Sequence, residues 1–505
     1  MNDDGKSFRQ ILRSTSIIGG ATVINILIGL VRIKVVAIML GPAGVGLIGL
    51  FNNLIDAAAN VAALGTGTVG TRQIAEAAGR EDAHAVADAR RALFLGTLAL
   101  AISGTVVFWA LRDALALWVL GDATLSPEVG WLALAVGLTV AAASQSALLN
   151  GMRRIGDLAK VSVWSGMLST ALGVGALLLW GRSGLIVFVL VGPLTSLMLG
   201  HVYVARLPKV IARRTPLPAL ARQWGTMVKL GTALMVAGLA GTLGQLLVRM
   251  LVQRELDAEA LGYFQAAATL SMTYFGIVLG AMGTDFYPRL TAVIHDNVAV
   301  NRLVNEQVEV ALLIASPILL AMIGLAPWVI QTLYSSSFHP AAEVLRWQVI
   351  GDVFKVFSWP LGFMFLAAGA GRTLMLTEFA AAALFVLLTW KLLPAQGIVA
   401  TGQAFVGMYL VYLSLVYWLG RRRTGFRWNH RVLRQMTLLL LTTVSVMIVS
   451  AWIEIAGVII GTLGSMGLAL YGFGRLGTMV NLEGRIGEAA KFSRRLLGKI
   501  GIDNG

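Results

Sequence analysis

Four cations stand in stretches of this sequence that are otherwise apolar, and their residue types suit the binding of anions. Arg32 and Lys34 lie inside "GLVRIKVVAIMLGPAGVG" (29–46), Arg249 shares a helical face with Thr242 and Gln245, and Lys355 falls in "RWQVIGDVFKVFSW" (346–359). Guanidinium presents a planar fork of donors matched to phosphate or carboxylate oxygens, and an ammonium adds a compact point charge. A cation at the centre of a membrane helix costs roughly 2.5–3.5 kcal/mol on insertion scales, so each of these residues needs a reason. Counting back from Leu40, Arg32 lies about 12 Å and Lys34 about 9 Å from the helix end, so Lys34 can reach the interface more readily.

Carboxylates and amides repeat the pattern. Asn53, Asp56 and Asn60 fall at i, i+3, i+7 and make one stripe, Gln265, Thr269 and Thr273 make a second, and Gln348, Asp352, Lys355 and Trp359 a third. Glu378 stands alone in "LTEFA". Stripes of this kind on several helices imply a shared polar cavity, in which Asp56, Asp352 and Glu378 could take a proton or cation and couple its gradient to movement of a ligand. The plainer alternative is interhelical bonding, with Asp352 paired to Lys355 at i, i+3 and Glu378 held by Arg372 or Lys355. Arg32, with Asn25 seven residues before it, and Arg249 are the stronger candidates for a cavity role.

The elements that must carry these residues are membrane spans. Of 505 residues 57% are apolar and 13% charged, against about 45–50% and 25% in an average soluble domain. Apolar runs of about 20 residues, each enough to cross a hydrocarbon core, recur along the chain. They predict an all-α polytopic membrane protein of about fourteen transmembrane helices, near 15–39, 47–70, 92–111, 130–149, 161–180, 184–205, 225–250, 261–284, 309–333, 345–368, 374–393, 398–419, 435–453 and 455–474. With this count, about 30 of the 40 basic residues fall on one side, and the opposite connectors hold only Arg112, Arg182, Arg254 and Lys391. Both termini are therefore expected in the cytoplasm.

"RLPKVIARRTPLPALARQW" (206–224) is a basic, Pro-punctuated joint near mid-chain. It divides the chain into an N-lobe at 1–206 (helices 1–6), a basic cytoplasmic linker at 207–223, a C-lobe at 224–423 (helices 7–12), and an extra helical pair with a basic tail at 424–505. A shift of 216 aligns Gly46 with Gly262, and a similar shift relates Leu64-Gly65 to Leu279-Gly280, consistent with a parallel internal repeat. The net charge of +15 resides in short connectors and reports orientation, so nucleic acid is not expected as a partner. There is no Cys for disulfides or thiolate sites, no G-x-x-x-x-G-K-[ST] phosphate loop, and no metal-ligand spacing among the five His. No connector is long enough for a soluble catalytic domain, so an enzyme is not expected, and a membrane polysaccharide polymerase is the less favoured alternative.

"MLGPAGVGLIGLFNNL", "LGYFQAAATLS", "FYPRL", "LRWQVIGDVFKVFSWPLGF" and "AQGIVATGQAFVGMYLVYLSL" together resemble the Wzx-type O-antigen and lipid III flippases of the polysaccharide transporter family. That family shares a superfamily with multidrug and toxin extruders and lipid II flippases. The resemblance covers roughly residues 10–423. It implies two six-helix lobes in a V that alternate access to a cationic cavity. The cargo it implies is an undecaprenyl-pyrophosphate-linked oligosaccharide, moved between leaflets of the bacterial inner membrane for O-antigen or lipopolysaccharide assembly. Lys34, Arg249, Asp352, Lys355 and Glu378 stand where lipid III flippases carry those residue types, Arg32 resembles the first-helix arginine of lipid II flippases, and Asp56 has no matched counterpart. On this basis Arg32, Arg249, Lys34 and Lys355 are expected to meet pyrophosphate, and Asn53, Asn60, Gln245, Gln265, Thr269 and Gln348 the sugars. Asp352, Glu378 and Asp56 are the candidates for coupling to H+ or Na+, with no other cofactor. Partners implied are the lipid-linked sugar, membrane lipids, a polysaccharide polymerase and a chain-length regulator. The two C-terminal spans depart from relatives that stop near "GRRRTG", and a multidrug exporter of the same superfamily is the nearest alternative.

Overall fold

In hydrocarbon every backbone N–H and C=O has to be satisfied within the chain, which leaves the helix as the available form for long apolar runs. The computed structural model describes residues 3–80, 82–207 and 216–479. Residues 208–215 of the basic linker and 480–505 of the basic tail lie outside the described residues, as do the side chains of 1–16, 217, 233, 237, 277–284, 478 and 479. The helices are α1 (Asp3–Ala63), α2 (Thr66–Gly79), α3 (Ala83–Ala110), α4 (Arg112–Leu115), α5 (Ser126–Gly151), α6 (Ile155–Trp180), α7 (Leu185–Ala205) and α8 (Leu217–Glu255). They continue as α9 (Ala258–Ala292), α10 (Asn297–Gly324), α11 (Ala326–Leu333), α12 (Ala341–Ala367), α13 (Gly371–Gln396), α14 (Val399–Thr424), α15 (His430–Trp452) and α16 (Glu454–Met479).

Among the described residues, ten segments are long and apolar enough to cross a bilayer, or up to 11 when the bent pair Pro218–Val236 and Gly238–Glu255 is counted as one span. Two of the ten, Ile17–Ala63 and Ile155–Ala205, each take in two of the spans assigned from sequence. The first is interrupted at Gly41, whose φ of 62° and ψ of −167° are not helical. Glycine is suited to that conformation, and Pro42 restarts the helix with its φ already fixed. In the second, a short 3-10 turn at Gly181–Gly184 separates α6 from α7.

The chain forms two compact units, 1–262 and 263–505, so the division falls beyond the sequence-assigned linker and leaves α8 in the first. Close approaches explain this placement. The backbones of Gly65 and Gly231 meet with no room for a Cβ, and the Trp224 indole occupies the space over Gly96 on α3. At the far end of α8, a Cβ on Gly46 would stand 2.7 Å from the Ala258 carbonyl oxygen, and one on Gly262 would strike the Pro42 carbonyl. The unit's interior is built on Leu50, Ile74, Leu132, Leu149 and Phe188, all essentially inaccessible.

The second unit is centred on α12, with Phe264, Phe286, Phe338, Phe357, Phe365 and Phe426 inaccessible around it. The C-terminal pair belongs to this unit. Asn301 and Asn305 on α10 bracket the α14–α15 connector, accepting from Arg427 N (3.0 Å) and Asn429 N (2.8 Å) and donating to Thr424 O (3.3 Å) and Arg427 O (3.1 Å). Farther along, Ser465 on α16 donates to Pro317 O at 2.8 Å, and a Cβ on Gly461 would stand 2.7 Å from the Gly324 Cα. Glu309, nearly buried, has Arg431 and Arg475 at 3.8 and 3.7 Å.

Eight tryptophans, Trp109, Trp118, Trp131, Trp164, Trp180, Trp328, Trp390 and Trp452, are more than half exposed. All but Trp164 lie near a helix end or turn, where amphipathic rings favour a membrane–water boundary.

Candidate functional site

Each unit brings charged and polar side chains together inside its span region. In the first, the segment of α1 after Pro42 carries Asn53, half-buried, and Asp56 and Asn60, both exposed. On α8, Arg249 is only 5% exposed and Nη1 donates to Gln245 Oε1 at 2.8 Å and to the Gln245 carbonyl at 3.1 Å. Asp56 lies within electrostatic reach of Arg249. A buried cation is tolerated only with such compensation, because removing it from water costs several kcal/mol. Asn53 Oδ1 is buried without a hydrogen-bond partner among the described residues. Arg249 and Gln245 on α8 and Asp56 on α1 thus form one polar centre, with Asn53 and Asn60 on the same stripe of α1 as Asp56.

Arg32 and Asn25 lie seven residues apart on α1 and each meets a neighbouring helix of the first unit. The Arg32 guanidinium lies 4.1 Å from the ring centroid of Phe188 on α7, a cation–π contact, while Asn25 Nδ2 donates to Ser162 Oγ on α6 at 2.7 Å. Both residues face α6 and α7 within the unit. Lys34 is half-buried on the same helix.

In the second unit, Asp352 is inaccessible on α12 and accepts from Ser271 Oγ at 2.6 Å and from the Tyr274 hydroxyl, both on α9. Its close contacts are these hydroxyls, and Lys355 acts on it through its field. The Lys355 ammonium is 4.4 Å from the Phe275 centroid and 5.7 Å from that of Tyr409. It also lines a cavity of about 360 Å³ with Glu378, Trp359, Phe363, Tyr409 and Tyr412. Glu378 is held by neither Arg372 nor Lys355 directly, since its Oε1 accepts from Tyr412 OH at 2.6 Å. A cation, a carboxylate and four aromatic rings around one cavity can hold an anion while presenting apolar faces to a bulkier group.

The Gln265 stripe is bonded largely along its own helix, with Gln265 Nε2 donating to Thr269 Oγ1 at 3.0 Å and Thr273 Oγ1 to Thr269 O at 2.7 Å. Gln348 is 2% exposed, and its Oε1 has no hydrogen-bond partner among the described residues. The aromatic and hydroxyl members of the second centre, Ser271, Tyr274, Phe275, Tyr409 and Tyr412, were not singled out from sequence. The i, i+3 spacing of Tyr409 and Tyr412 in "GMYLVYLSL" was the available signal.

Comparison with known proteins agrees with this architecture. The lipid III flippase of Escherichia coli (strain K12) is 24% identical over 413 residues, covering 80% of this chain and 97% of that protein. Among solved structures, the lipid II flippase MurJ in an inward closed conformation superposes with a TM-score of 0.65 at 12% identity, over 92% of this chain and 99% of that one. An inward-facing multidrug resistance MATE family transporter of the MOP superfamily also gives 0.65, at 17% identity over 79% and 94% of the two chains. These likenesses establish a MATE/MurJ-like helical transporter fold. The family model described as polysaccharide biosynthesis protein matches residues 35–343, more than half of the sequence, and the chain belongs to that family.

Proposed function

We propose that this protein is a flippase for a lipid-linked oligosaccharide, carrying an undecaprenyl-pyrophosphate-linked O-antigen or related surface-polysaccharide unit from the cytoplasmic to the periplasmic leaflet of a bacterial inner membrane. Transport proceeds by alternating access between two six-helix lobes, with both termini cytoplasmic and an H+ or Na+ gradient as the energy source. The observation that carries this reading is Arg249, a buried guanidinium beside Gln245 and in reach of Asp56. Flipping requires no covalent step. It requires cations for pyrophosphate, polar groups for sugars and an apolar lane for the polyprenyl chain.

In this mechanism Arg249 exchanges part of its interaction with Asp56 for phosphate oxygens, and Lys355 adds positive potential. Lys34 and Arg32 contribute from α1, the latter by leaving the Phe188 face. Asn53, Asn60, Gln245, Gln265, Thr269 and Gln348 meet hydroxyls, and protonation of Asp352, Glu378 or Asp56 biases the two states. The lipid III flippase likeness over 80% of the chain supports the cargo class. A polysaccharide polymerase would receive the flipped unit, and a chain-length regulator would act with it.

A multidrug exporter has the same fold, but a buried arginine and a lysine-lined cavity disfavour cationic drugs. Depletion of the protein in its native cell tests the reading: lipid-linked oligosaccharide should build up in a form that a membrane-impermeant lectin reaches only after permeabilisation. Unchanged lectin access with increased drug sensitivity would favour the exporter instead.

A further inference from the structure

A second cavity, of about 610 Å³, opens in the first unit between α3, α5 and α7, and neither charged centre described above contributes to it. Its polar lining is Arg90 and Arg91 on α3, Ser144 and Gln145 on α5, and His201 on α7. Among the described residues no carboxylate lines it, and neither arginine makes an ion pair. The remaining wall is apolar, including Phe94, Leu148 and Val204. The arginines stand immediately before the apolar run of α3, where a membrane span would meet lipid headgroups.

Two features separate a lipid from a free anion as occupant. Phe94 is 60% exposed at the cavity, and Leu98 and Ile102, at 44% and 58%, continue from it at i+4 and i+8 as an apolar lane along α3. Two adjacent guanidinium groups at the head of that lane complement a phosphodiester followed by acyl chain. The volume falls within the range of about 300–1,000 Å³ usual for small-molecule sites.

We infer that the α3–α5–α7 cavity is a binding site for an anionic phospholipid, with the headgroup phosphate on Arg90 and Arg91 and one acyl chain along Phe94, Leu98 and Ile102. The test uses full-length protein purified in detergent, supplied with phosphatidylglycerol or phosphatidylcholine and read for retained lipid by native mass spectrometry. Phosphatidylglycerol should be retained selectively, and the Arg90→Ala/Arg91→Ala double variant, which removes two cations beside an anionic headgroup, should lose about tenfold or more in retention. Ala87 also lines the cavity, and Ala87→Trp fills it without changing charge. It should reduce retention to a similar degree, with circular dichroism and melting temperature verifying both folds. Equal retention of the two lipids would overturn the headgroup assignment, and full retention by Ala87→Trp would overturn the inference in favour of diffuse surface attraction. Displacement of the lipid by millimolar inorganic phosphate would overturn it in favour of a free-anion site.

Discussion

The Tyr412 hydroxyl donates to Glu378 Oε1 at 2.6 Å, tying α14 to α13 in the wall of the cavity that Lys355 also lines. A hydrogen bond to a charged acceptor contributes about 1.5–3 kcal/mol. Tyr412→Phe should therefore lower the melting temperature of the purified protein while keeping its helix content. Glu378→Gln retains an acceptor for Tyr412 and removes the charge, so it should preserve melting and reduce transport if the carboxylate serves in coupling. Full transport by Glu378→Gln would remove Glu378 from that role.

Asp352 is inaccessible and receives two hydroxyl donors from α9. Asp352→Asn keeps an acceptor facing Ser271 and Tyr274 and should cost about 1 kcal/mol or less of this bonding. Asp352→Leu leaves both hydroxyls without an acceptor and should cost about 2–4 kcal/mol, because unmade buried hydrogen bonds are expensive. Denaturant titration in detergent compares the two, and equal losses would mean that the bonds contribute nothing beyond packing.

At the Gly41–Pro42 corner, the backbone of α1 approaches the start of α9 so closely that Gly46 has the Ala258 carbonyl 2.7 Å from where a Cβ would stand. The obstruction is backbone and cannot swing aside. Gly46→Ala should destabilise by about 1–3 kcal/mol, the usual cost of overpacking, measured as a loss of melting temperature. An unchanged value would show that this contact is not held in solution.

Removal of residues 430–505 should not leave a sound core. It would uncover Gly324 and leave Glu309 nearly buried without Arg431 or Arg475. Breaking one side of a buried ion cluster alone costs about 3–5 kcal/mol. The truncated protein should aggregate or melt well below the full chain in detergent, whereas an equal melting temperature would make the pair an independent appendage.

What could be read from the sequence follows the physics of each feature. The Asp352–Lys355 turn was legible because periodicity places residues on one helix face without knowledge of any neighbour. Its true acceptor role was not, because Ser271 and Tyr274 reach Asp352 only once α9 packs on α12. Arg32 shows the same limit: burial cost marks it as needing a partner, but not that the partner is the face of Phe188 on α7. Gly46 and Gly262 could be aligned by a repeat shift, yet their backbones' close approach depends on the corner at Gly41. The position of α8 in the first unit rests on Gly65, Gly96 and Gly231, small residues whose packing has no periodic signature.

That Arg249 holds the phosphate of a lipid-linked cargo is tested most directly by leaflet exposure of an undecaprenyl-pyrophosphate oligosaccharide in proteoliposomes, comparing the native protein with Arg249→Ala and Arg249→Lys. Protein-dependent exposure should be lost in Arg249→Ala, fall at least about tenfold, and return in part with Arg249→Lys, which keeps the charge without the bidentate fork. Exposure at the native rate in a folded Arg249→Ala protein would contradict the assignment.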